Sequence, residues 1–84
     1  MNAYNNMIHT FAIAANSKDY NAHADNVMDA IDNYMSARWY NEPANVSVAD
    51  SYNNIYDILT RAANRFNRSG FTAFVLDCFG YCFN

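Results

Sequence analysis

Lysine is almost missing from this 84-residue chain. Lys18 is the only one, and with the arginines it makes five cations against eight acids. The formal net charge of −3 and a pI near 4.9 argue against a general nucleic-acid binder, because such proteins neutralise phosphates with clustered bases. There is no run of 18 or more apolar residues, so no membrane span is expected. The N-terminus has no basic n-region, and Asn5, Asn6 and His9 interrupt its apolar face, so no secretory signal is expected. A cytosolic setting follows as the expectation, and with it reduced thiols at Cys78 and Cys82. Internal repeats and low-complexity tracts are absent. Candidate nucleophiles (Ser36, Ser47, Ser69 and the two cysteines) show no base-and-orienter pattern, and no cofactor motif is visible. The expectation is a protein that is not an enzyme and carries no cofactor.

What the chain does have is greasy surface. Hydrophobic residues make up 52% and aromatics 17%, including seven Tyr and six Phe, which excludes a disordered chain and supplies large buried areas from few residues. The length fits one small domain, with a thin stability margin. Aromatic surface that finds no place inside would mark a partner interface or a homo-oligomer contact.

The most legible stretch runs from Ser47 to Gly70. Val48, Tyr52, Ile55, Leu59, Ala62 and Phe66 recur in steps of three and four, the spacing of one helical stripe. Ser47 stands at the N-cap position with Asp50 three residues on, and Asn67–Gly70 supply a stop. Asp57 and Arg61 are spaced as an i, i+4 ion pair. Upstream, Asn2 caps a helix over 3–16 with Tyr4, Met7, Ile8, Phe11, Ala12 and Ala15 on one side. Asp19 caps a second over 20–40, its apolar positions running through Val27, Met28, Ile31 and Met35 to Trp39, ended by Glu42–Pro43. Residues 71–79 suit either a buried helix or a short strand; with no second strand to pair with, a helix is expected. The fold class is therefore all-α, a compact bundle of three to four helices.

Several constellations carry possible chemistry. Asp25, Asp29 and Asp32 share a helical face and present a line of negative charge able to dock a basic groove; a solvated helix face is the plainer reading. Trp39 and Tyr40 put two large aromatics at a helix end, as interface anchors or as a core cap. Arg61, Arg65 and Arg68 form a basic stripe that suits a nucleotide-like anion, or else offsets the helix dipole. Cys78 and Cys82 face the same way on a helix. Joined by His9 and His23 they would make a zinc site, but the tight paired clips of structural sites are missing, so two small buried hydrophobes are expected.

In size, acidity, lysine scarcity and Asn/Tyr richness, through stretches such as YNNMIH, DNVMDAIDNYM and SYNNIYD, the chain resembles the small anti-CRISPR and anti-restriction inhibitors of bacteriophages and mobile elements. The resemblance is one of general character and brings no motif residues with it. It implies a stoichiometric inhibitor that binds a host defence protein or nucleoprotein complex at or near its nucleic-acid surface, with Asp25, Asp29, Asp32, Trp39 and Tyr40 as contact candidates. A nucleotide-like anion held between protomers by Arg61, Arg65 and Arg68 is the alternative, and a structural homo-oligomer is a third reading.

Overall fold

The computed structural model describes residues 2–41 and 47–83, the side chains of Tyr40 and Asn41 excepted. Within them lie four α-helices: α1 (Ala3–Ala15), α2 (Ala24–Asn41), α3 (Val48–Asn64) and α4 (Phe71–Phe83), with a 3₁₀ turn over Tyr20–His23 leading into α2. The caps expected from the sequence are in place. Asn2 accepts the Asn5 N–H at 2.8 Å, and Ser47 accepts the Asp50 N–H at 3.1 Å. Asp19 accepts the Asn21 N–H at 3.1 Å, so it starts the 3₁₀ turn, not α2 itself. The Glu42–Pro43 stop lies outside the described residues.

Residues 71–83 are helical, as expected, and Phe71, Phe74, Val75, Cys78 and Phe79 are buried. The closest packing runs α1 on α2, α2 on α4 and α4 on α3, which places α2 and α4 at the centre. The buried residues of all four helices join in one cluster. Phe71 is its hub: edge-on rings from Phe11 of α1, Tyr20 of the 3₁₀ turn and Phe66 of the α3–α4 turn close round it at 5.7–6.2 Å. Edge-to-face arrangements of this kind set the positive rim of one ring against the negative face of another.

The ends of the helices depart from the stripes read in the sequence. Trp39 and Val48 carry the apolar period of α2 and α3, yet they are 64% and 58% exposed. Each stands at the edge of the bundle, and periodicity says nothing about where the neighbouring helix stops. On α1 the buried line is Met7, Phe11 and Ala14, with Tyr4 at its exposed margin.

Two turns are locked together across the bundle. Between α3 and α4 the backbone takes positive φ at Asn67 (50°) and Gly70 (77°), conformations that Asn tolerates and Gly adopts without cost. That path swings Arg68 toward the end of α1. Its guanidinium donates to the carbonyls of Ala15 (2.8 Å), Ser17 and Lys18 (3.1 Å), and lies 4.7 Å over the Tyr20 ring. The last carbonyls of a helix have no partner within it, so at Ala15 Arg68 serves as a C-cap supplied from 53 residues away.

Candidate partner-binding surface

Asp25, Asp29, Asp32, Ser36 and Trp39 follow one another on α2 in steps of four, three, four and three. Steps averaging 3.5 residues keep them in one line along the helix, about 21 Å from end to end at 1.5 Å per residue. All five are exposed, and among the described residues none of the three carboxylates is in an ion pair. The sequence put the three acids on one helical face. It also counted Trp39 in the apolar stripe, whereas the structure sets it at the end of the acidic line. Tyr40 belongs to the last turn of α2, but its side chain lies outside the described ones.

Beside Trp39 the ends of three helices leave an open-sided apolar groove of about 410 Å³. Met35, Ser36 and Trp39 of α2 form one wall, Val48 and Ile55 of α3 the second, and Cys82 with Phe83 of α4 the third. Phe83 is 40% exposed at the rim and packs edge-on against Tyr52 at 4.8 Å. Arg38 also borders the groove, with its guanidinium directed to the Tyr34 hydroxyl at 3.3 Å.

The acidic line reaches the groove electrostatically. The Cys82 thiol, on the groove wall, is raised above its ordinary pKa first by burial and then by the carboxylates of Asp32 and Asp29. Cys82 donates its S–H to the Met28 carbonyl at 3.2 Å. Burial, followed by the neighbouring Cys82 and Asp77, pushes the Cys78 thiol up to about 11. Both cysteines are therefore neutral thiols near pH 7, the opposite of an activated nucleophile or a ready metal ligand. His9 is exposed and His23 sits in the 3₁₀ turn; among the described residues no three His, Cys, Asp or Glu side chains are grouped to hold a metal. His23 instead borders a furrow of about 210 Å³ between α1 and α2, with Asn6, Thr10, Asn26, Asn33 and Asp29 of the acidic row.

The three arginines do not form a stripe. Helix α3 ends at Asn64, with Arg65 as its C-cap residue, so Arg65 and Arg68 fall beyond the regular turns. Arg61 pairs with Asp57 at 2.9 Å, as its spacing predicts, Arg65 is exposed, and Arg68 is turned to the carbonyls of Ala15, Ser17 and Lys18. A common anion would have to pull Arg68 off its carbonyls.

The sequence reading missed the groove. Its walls come from the ends of three helices, and only Trp39 carried a local signal. Among the described residues no helix is long and apolar enough to cross a membrane. No protein-family model, curated protein or solved structure matches the chain.

Proposed function

We propose that this domain is a non-catalytic inhibitor of a host nucleic-acid-processing defence complex, of the anti-CRISPR or anti-restriction kind. It acts by laying the α2 line on a basic surface of that complex. The observation that carries this reading is the single exposed row of Asp25, Asp29, Asp32 and Trp39, in which three carboxylates have no cation among the described residues. Uncompensated carboxylates on a rigid helix steer a cationic partner from a distance, and an adjacent exposed indole supplies the desolvated anchor that charge alone lacks. Exposure of these side chains also suits docking better than acid–base chemistry, which calls for a carboxylate taken out of water.

The test is affinity capture from bacterial lysate with the wild-type chain and with the D25N/D29N/D32N variant, followed by a cleavage assay on any captured nuclease. The wild type is expected to bring down a nuclease or effector complex and block its cleavage. The variant, with unchanged helicity by circular dichroism, should lose at least about tenfold in capture and inhibition, the scale of electrostatic steering. Equal inhibition by both proteins would remove the acidic row from the mechanism. Capture of no nucleic-acid-processing protein would remove the proposed function.

A further inference from the structure

We propose that the groove at the ends of α2, α3 and α4 seats a cationic amphipathic helix of the partner protein. The helix's apolar side chains enter beside Trp39, Val48 and Phe83, and its Lys/Arg flank lies along Asp32, Asp29 and Asp25. The inference rests on the reading above, that the α2 row is the contact face, and it names the chemistry of what that face receives.

Three observations carry it. The groove is open-sided and apolar, and its rim holds Trp39 and Val48, the most exposed large apolar groups among the described side chains of α2 and α3. Such a trough takes the i, i+3, i+4, i+7 side chains of a docked helix. The row leading out of the groove spans about 21 Å, the length of about 14 helical residues, so one helix can engage both ends. The charge of that row selects the sign of the occupant: an anionic helix or a nucleic-acid backbone would meet three carboxylates that are in no ion pair among the described residues. A second copy of this chain offers no cationic amphipathic helix, because α1 and α4 contain no Lys or Arg, α2 has only Arg38, α3 has only Arg61, which pairs with Asp57, and Lys18, Arg65 and Arg68 lie between the helices. Arg38, which also borders the groove, donates to the Tyr34 hydroxyl at 3.3 Å.

Trp39 is the only tryptophan, so its emission reports the groove directly. The probe is an 18-residue helical peptide without Trp, with Leu and Phe on one face and Lys and Arg flanking it. Three comparisons accompany it: the same peptide with Glu in place of the cations, the same composition scrambled to abolish the apolar face, and a single-stranded oligonucleotide. With the wild-type chain the cationic amphipathic peptide is expected to shift Trp39 emission to the blue. It should bind at least about tenfold tighter than the Glu version at about 50 mM salt, with that advantage shrinking at about 500 mM as screening sets in. The D25N/D29N/D32N variant should abolish the charge preference, and Ser36→Arg, a change at an exposed groove position, should abolish the blue shift while leaving the melting temperature unchanged.

Equal binding of cationic and anionic peptides, equal binding of the scrambled peptide, a blue shift with the oligonucleotide alone, or no shift with any probe would each overturn the inference. If the peptides fail while lysate capture and inhibition still depend on Asp25, Asp29 and Asp32, the proposed function stands and only the helical occupant falls. If the peptides bind as expected but no nuclease is captured, the groove chemistry stands and the inhibitor role falls.

Discussion

Arg68 decides between a structural and a ligand-binding role for the basic end of the chain, and its replacement by alanine separates the two. The guanidinium holds the Ala15, Ser17 and Lys18 carbonyls and covers the Tyr20 ring. Hydrogen bonds to a charged group contribute about 1.5–3 kcal/mol each when fully counted. These three share one half-exposed side chain, and water replaces part of what is lost, so they do not add. The cation–π contact adds about 0.5–1 kcal/mol at such a site. Together they give about 3 kcal/mol for Arg68→Ala, against a total of roughly 4–13 kcal/mol for a domain of this size. The melting temperature should fall by about 12–24 °C. Arg68→Lys keeps the charge but not the fork, and is expected to recover less than half of the loss. Tyr20→Phe keeps the ring and removes only a long hydrogen bond to the Ser69 carbonyl (3.4 Å), so it should cost under about 0.5 kcal/mol. Urea denaturation of the four proteins measures the series. A loss below about 0.5 kcal/mol for Arg68→Ala, together with weakened nucleotide binding in a thermal-shift screen, would refute the structural assignment.

The same interlock makes Gly70→Ala costly, because a Cβ there would stand 2.5 Å from the Tyr20 hydroxyl oxygen and the φ of 77° is one that L residues rarely take. A loss of about 2–3 kcal/mol in urea is expected. Gly80→Ala, on α4 with nothing within 4 Å of the added carbon, should instead stabilise by about 0.5–1 kcal/mol; a loss at this position would show that Gly80 is held for close approach. For Cys78, the folded thiol keeps its proton longer than the unfolded one, so its contribution is complete below pH 9 and is lost as pH rises from 9.0 to about 11. Stability measured across that window should fall more steeply for the wild type than for Cys78→Ala, and parallel curves would refute the assignment.

Local chemistry was the part of the fold that the sequence displayed openly. Asn2 and Ser47 cap their helices through hydrogen bonds that span three residues, so their partners lie within reach of any short window. The Asp57–Arg61 pair is local in the same sense. The buried set of α4 was readable although its class was ambiguous, because Phe71, Phe74, Val75, Cys78 and Phe79 are apolar enough to be inside in either conformation. Trp39 and Val48 were misread at the helix ends, where the apolar period outlasts the neighbouring helix that would cover it. The arginine stripe failed for a related reason: the stop at Asn67–Gly70 was visible, but the helical spacing was carried through it to Arg68. The Arg68 interlock joins residues 50 or more apart, and the groove needs three helix ends at once. Neither leaves a periodic trace. The acidic half of the candidate site was legible because it lies along one helix, and the apolar half was not because it lies between helices.

The most direct test of the docking face is hydrogen–deuterium exchange on the domain alone and in complex with its captured partner. Protection is expected along α2 from Asp25 to Trp39 and in the first turn of α3 around Val48, with the α3–α4 turn at Arg65 unchanged. Protection confined to the Arg61–Arg68 end, with α2 exchanging as in the isolated domain, would contradict it.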